Sequence, residues 1–136
     1  MRLRGLRRIL VATALTSSMA AAAAGKPVAS PGADADAEIR RLVTALGTSG
    51  CEFERNGTWH SATEAQAHLQ RKHDWARRRG LSGTTETFIE RAASRSSLSG
   101  KPYRVRCPDA APMPSEKWMR DTLRRLRAAP PASPPR

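Results

Sequence analysis

Apolar residues recur at helical spacing in four stretches of the chain and alternate at strand spacing in two others. Ile39, Leu42, Val43 and Leu46 fall at i, i+3, i+4 and i+7. They predict a helix capped by Asp34 or Asp36 and running to about Leu46, with Gly47 to Gly50 stopping it. Cys51 to Arg55 then alternates, placing Cys51 and Phe53 on one face and Glu52 and Glu54 on the other. Asn56-Gly57 follows, and Thr58-Trp59-His60 comes after it. Two residues that tolerate positive φ between two extended runs predict a hairpin. Ser61-Ala62-Thr63-Glu64 has the form of a capping box, opening a second helix that runs to Gly80. Its apolar line is thin: Ala65, Leu69 and Ala76, with Trp75 off it. Leu81 to Thr85 reads as a loop ending in an N-cap threonine. A third helix over about residues 86–94 buries Phe88, Ile89 and Ala92 or Ala93. Residues 96–102 turn the chain into a second alternating run, with Tyr103, Val105 and Cys107 on one face and Arg104 and Arg106 on the other. Residues 108–114 read as a linker. Ser115 is expected to cap a last helix, through about Arg127, that packs on Trp118, Met119, Thr122, Leu123 and Leu126.

The ends of the chain lie outside this pattern. Arg2, Arg4, Arg7 and Arg8 precede an uncharged, mostly apolar run from Ile9 to Ala20, and small residues follow. That order is expected of a secretory signal peptide over residues 1–24, cleaved near Ala24. The run is too short and too rich in Ser, Thr and Ala for a good membrane span. The expected location is therefore the periplasm or the exterior, with membrane contact only through the signal segment. Residues 25–33 are expected to be a flexible linker and 34–127 a single domain. Residues 128–136, holding four prolines, are expected to form a disordered tail. The net charge of +12 falls to +8 when the four arginines of residues 1–24 leave. Only four basic residues are lysine, Lys26, Lys72, Lys101 and Lys117. This Arg, Ala and Pro bias is what GC-rich coding produces, so the charge argues weakly for a nucleic-acid partner. An aromatic content of 4% argues against a base-stacking platform. An anionic envelope polymer or an envelope protein is the partner class that suits this charge.

Export changes the meaning of the two cysteines, because thiols in an oxidising compartment pair. The strand pattern supplies the geometry. With residues 52–55 antiparallel to 103–106 and Cys51 opposite Cys107, Phe53 faces Val105 and Arg55 faces Tyr103. The expected fold class is α+β: a small antiparallel sheet of about three strands, a hairpin plus one strand, packed against about four helices and pinned by one disulfide.

Phe53, Arg55-Asn56-Gly57, His60, Glu64-Ala65, His68-Leu69 and Lys72, followed by Phe88-Ile89, Ala93-Ser94, Ser96-Ser97, Gly100 to Tyr103 and Val105, resemble the YfeK-like family. These are short exported proteobacterial proteins sharing a domain of unknown function. The resemblance spans about residues 38–107 and implies a periplasmic location and a small α+β domain. It brings no activity with it, and the Cys51–Cys107 bridge rests on the register rather than on the family.

Glu64, His68 and Lys72 lie at i, i+4 and i+8, near one face of the second helix, with His60 approaching from the hairpin. A carboxylate-held histidine with a lysine for an anion is a general acid–base arrangement. Ser96, Ser97 or Ser99 would supply a nucleophile for a small hydrolase or transferase, with Ser97 the leading candidate. The competing reading is a polar seam tying the second helix to the serine loop. Arg55, His60, Lys72, Lys101 and Tyr103 are the candidate binding residues of a non-enzymatic domain for an envelope component or partner protein, and this is the reading the sequence favours. A metal site on His60, His68 and His73 is not expected, since His68 and His73 are five apart on one helix and no carboxylate completes a set. The serine-rich run ending in Lys101 precedes a strand and is not a phosphate loop. No cofactor is expected.

Overall fold

A computed structural model describes residues 31–129. The expected signal segment, most of the linker and the proline-rich tail lie outside the described residues. The order is α1 (Pro31–Gly47), β1 (Glu52–Arg55), β2 (Thr58–Ser61), α2 (Ala62–Arg78), α3 (Thr85–Phe88), β3 (Arg104–Arg106), β4 (Met113–Pro114) and α4 (Ser115–Ala128). The strands form one antiparallel sheet in the order β2-β1-β3-β4.

The β1–β3 register is the one the alternation implies: Phe53 opposes Val105, flanked by Glu52–Arg106 and Glu54–Arg104. Continuing it brings Cys51 to Cys107, whose sulfurs are bonded with the Cα atoms 4.2 Å apart. Because side chains alternate every residue, this register sends Phe53 and Val105 into the core and leaves the charges outside. There Arg106 Nε donates to Glu52 at 2.7 Å and its guanidinium lies 4.2 Å from the Trp59 ring centroid, while Arg104 pairs with Glu54 at 3.6 Å. The turn between β1 and β2 has Asn56 at φ 50° and Gly57 at φ 84°, the backbone that Asn-Gly adopts cheaply.

The helices cover the inner face. Ile39, Leu42, Val43 and Leu46 of α1 are buried, as are Trp118, Met119 and Leu123 of α4, and the Trp118 ring meets Phe53 edge-on at 5.5 Å. The capping box of α2 is complete, with Ser61 Oγ accepting from Glu64 N and Glu64 Oε2 accepting from Ser61 N. Its end is equally well satisfied: Gly80 N donates to Arg77 O and Leu81 N to Ala76 O.

Several sequence expectations are corrected. α1 starts at Pro31, inside the expected linker, and proline is well suited to a first turn where its missing N–H is not needed. Asp34 and Asp36 therefore lie within the helix rather than capping it. The third helix is α-helical only to Phe88 and π-helical from Ile89 to Ala93, where Ser94 Oγ donates to Ile89 O at 2.6 Å. The sheet, expected to have about three strands, gains a fourth. The stretch read as a linker holds β4, which pairs Met113 with Val105 and is closed by Ser115 N donating to Tyr103 O at 3.0 Å. Pro114 is tolerated because β4 is an edge strand. Ser115 is buried inside α4 and makes no side-chain cap.

Two ionic clusters tie the helices together. His73, only 5% exposed, places Nε2 2.6 Å from Asp36 Oδ1, and Arg40 and Arg77 bind the same carboxylate. Burial, aided by Arg77 and Arg40, holds His73 below its ordinary pKa, so the neutral ring donates Nε2–H to Asp36. Arg127 of α4 bonds Glu38 of α1 and Glu86 of α3, and Glu38 also accepts from Thr85.

Two outcomes are expected from these contacts. The non-reduced protein should show no thiol reactive towards maleimide. Reduction should lower unfolding stability by about 4 kcal/mol on the chain-entropy account of a loop spanning residues 51–107. Denaturant titrations with and without reductant measure this, and two labelled sulfurs in the native protein would contradict it. Asp36→Asn should cost roughly 1–3 kcal/mol, because three partners lose a charged acceptor and the His73 N–H is buried. A shifted urea midpoint at unchanged slope is the readout.

Candidate functional site

The inner face of the sheet continues past the core. Arg55 follows Phe53 by two residues and Tyr103 precedes Val105 by two, while His60 is directly opposite Phe53. All three therefore point to the side that α2 covers. Against them α2 sets Glu64, His68 and Arg71, one turn apart along a single face. The result is a cleft of about 300 Å³ between α2 and the sheet, lined by Arg55, His60, Glu64, His68, Arg71 and Tyr103 over an apolar base that includes Leu46, Phe53 and Leu69.

His68 is the most unusual group in it. Its Nε2 is sealed from solvent and has no hydrogen-bond partner among the described residues. The ring stands edge-on to Tyr103 with centroids 6.4 Å apart. Burial above all, then the positive charges of Arg55, Lys72 and Arg71, lowers its pKa from 6.5 to about 4, so it is neutral at pH 7. Lys72 lies behind it: Nζ donates to Ala92 O at 2.9 Å and to the Tyr103 hydroxyl at 3.3 Å, with the ring centroid 5.2 Å away. Burial and Arg55 lower the Lys72 pKa, and burial raises that of Tyr103. Arg55 makes no ion pair or side-chain hydrogen bond among the described residues, although its charge acts on every one of these groups.

The structure thus brings together Arg55, His60, Glu64, His68, Lys72 and Tyr103. It does not join Glu64 to His68. The Glu64 Oε2 is held by the backbone N and hydroxyl of Ser61, at 2.8 and 2.9 Å, which also keeps the carboxyl below its usual pKa. Among the described residues no serine of the loop hydrogen-bonds the imidazole. Ser96 is buried and its Oγ accepts from the backbone N–H groups of Leu98 and Ser99. Ser99 Oγ donates to Asn56 Oδ1 at 2.6 Å, and exposed Ser97 lines a second cleft, which His68 also lines, without a hydrogen bond between the two. Lys101 is exposed; its backbone accepts from Ser96 N and donates to Ser99 Oγ. The polar seam exists, but it ties the serine loop to the hairpin turn, while α2 is tied by Lys72 to the π-helical segment and Tyr103.

Sequence reasoning missed Arg71, which lines both clefts, and the Asp36–His73 pair. Arg71 was detectable, being one turn from His68. Asp36 and His73 lie 37 residues apart with no local signal joining them. No cluster of three or more metal-ligating side chains occurs among the described residues, and none of their helices is long and apolar enough to cross a membrane.

Comparison with known proteins places this geometry in a lineage rather than in a reaction. The uncharacterized protein YfeK of Salmonella typhimurium is 41% identical over 69 residues, which cover 50% of this chain and 56% of the relative. The match thus spans about half the length of that curated protein. No solved structure matches the chain. Residues 33–127 match a family described as a family of unknown function, DUF5329, and the chain belongs to that family.

Proposed function

We propose that the protein is a non-enzymatic binding domain of the bacterial envelope whose α2–sheet cleft takes an acidic group of an envelope component. The carrying observation is that His68 Nε2 and the Arg55 guanidinium, which line one cleft, have no partner among the described residues. A buried polar atom left without a hydrogen bond is costly; because His68 lines the cleft, a turn of its ring brings Nε2 to a ligand that completes the bond and recovers that cost. Arg55 and Arg71 supply charge for an acidic group, the neutral imidazole supplies a directional hydrogen bond, and the apolar base receives the rest of the ligand. Acid–base catalysis is less well supported, since the Glu64 carboxylate is engaged by Ser61 and no serine hydroxyl among the described residues bonds the His68 ring. Export is supported by the basic-then-apolar N-terminal pattern and by the disulfide.

Sedimentation of the purified protein with an isolated envelope fraction tests the reading. Arg55→Ala should reduce the bound fraction roughly tenfold and His68→Gln several-fold, as expected for loss of charge-assisted and buried hydrogen bonds. Wild-type binding should also weaken with salt. Cosedimentation of both variants at the wild-type level would end the cleft assignment.

The same imidazole sets a pH dependence. Above pH 6.5 His68 is neutral whether the chain is folded or unfolded. As the pH falls towards about 4, the unfolded chain takes up a proton that the folded one refuses. Thermal stability should therefore decline between pH 6.5 and 4, with the shift at His73 adding in the same direction. His68→Gln should flatten that slope. An unchanged slope in the variant would show that His68 is not held neutral by its site.

A further inference from the structure

On the other side of α2, a second and larger cleft of about 510 Å³ lies between α2, the start of α1, the 81–83 loop and α3. Its size is that of a small-molecule site. Its wall is apolar, built from Ile39, Trp75, Ala76, Leu81 and Phe88. Two of these are left in water: Trp75 is 47% exposed and Leu81 54% exposed. Their positions are fixed by the fold. Leu81 follows the glycine that ends α2 and is held by its N–H on Ala76 O, while the Arg79 guanidinium lies 4.1 Å from the Trp75 ring centroid.

The charge around this apolar wall is one-sided. Among the described residues Arg71, Lys72, Arg77 and Arg91 line it, against Asp36 as the one carboxylate. Asp36 is already shared by Arg40, Arg77 and the His73 ring. Arg77 is thereby used, and Lys72 is turned to Ala92 O and Tyr103. Arg71 and Arg91 remain, with no ion pair among the described residues. An apolar hollow beside uncompensated guanidiniums complements a molecule with an apolar body and one negative head.

From this juxtaposition we infer that the second cleft binds a small amphipathic carboxylate of the fatty-acid class, its chain against Trp75, Leu81 and Phe88 and its head on Arg91 and Arg71. The site is separate from the α2–sheet cleft, although His68 and Arg71 line both. Tests of the two are separable when they use residues confined to one side.

The experiment is a titration of the full-length purified protein with laurate below its micellar concentration, followed by tryptophan emission and calorimetry. Dodecanol supplies the chain without the charge, acetate the charge without the chain, and anionic phospholipid vesicles the same chemistry in a bilayer. Saturable binding of laurate, at least about tenfold tighter than dodecanol or acetate, is expected. Trp75→Phe should remove most of the emission change, and Arg91→Gln and Leu81→Ser should each weaken laurate roughly fivefold to tenfold. Arg55→Ala should leave laurate binding intact, so failure here and failure of the envelope-binding reading are distinguishable. Equal affinity for laurate and dodecanol, binding to vesicles alone, no laurate binding, or full laurate affinity in both Arg91→Gln and Leu81→Ser would each overturn the assignment.

Discussion

The pairing of β1 with β3 in one register, closed by Cys51–Cys107, is the constraint on which the rest of the structure depends. A one-residue slip in a strand exchanges its two faces. Here a slip of β1 would bury Glu52 and Glu54 and expose Phe53, and a slip of β3 would bury Arg104 and Arg106 and expose Val105. The covalent bond at one end of the ladder removes that alternative and leaves Phe53 to meet Trp118 of α4. Arg55 and Tyr103 occupy the same face two residues further on, and His60 lies on it across the hairpin from Phe53. The cleft is in this sense the unfinished end of the core, where the pleat still points inward but the side chains have become polar.

α2 is the wall between two hollows, and its sequence is suited to that position. It buries only Ala62, Leu69 and His73, so it cannot pack tightly on both sides at once. What fixes it is polar and placed at intervals: the Ser61–Glu64 box at its start, the Lys72 ammonium on Ala92 O, the His73–Asp36 bond and the Gly80 termination. A helix tied at points rather than along a continuous apolar seam leaves gaps between the ties, and both clefts are such gaps.

Positive charge is distributed unevenly in consequence. Arginines are balanced by acids in the ladder on the outer face and in the Arg127 cluster joining α1, α3 and α4. Of the acids lining the two clefts, Glu64 is spent on its own cap, Glu54 pairs with Arg104 and Asp36 is divided among three groups. Among the arginines lining the clefts, Arg55, Arg71 and Arg91 are left without an ion pair among the described residues. Burial of His68 and Lys72 beside this excess explains why both are held below their ordinary pKa values.

Local patterns settled what could be settled locally. The α1 stripe, the Asn56-Gly57 turn, the Ser61–Glu64 box and the alternation around Phe53 and Val105 depend on residues within one turn or one strand, and two cysteines at matching ends supplied the single long-range link. β4 was illegible because a two-residue strand with a proline has no period and exists only because β3 offers it an edge. Asp36 looked like a cap and became the partner of a histidine 37 residues away, a choice made by the packing of α1 on α2. Glu64 and His68 were rightly placed on one face, but competition with the backbone of Ser61 decided where the carboxylate went. The sequence by itself determined which faces turn inward, because periodicity and covalent pairing act along the chain. Only the tertiary structure decided which polar groups meet and which are left without a partner, because hydrogen bonds and ion pairs are allotted by distance among helices that the sequence alone does not bring together.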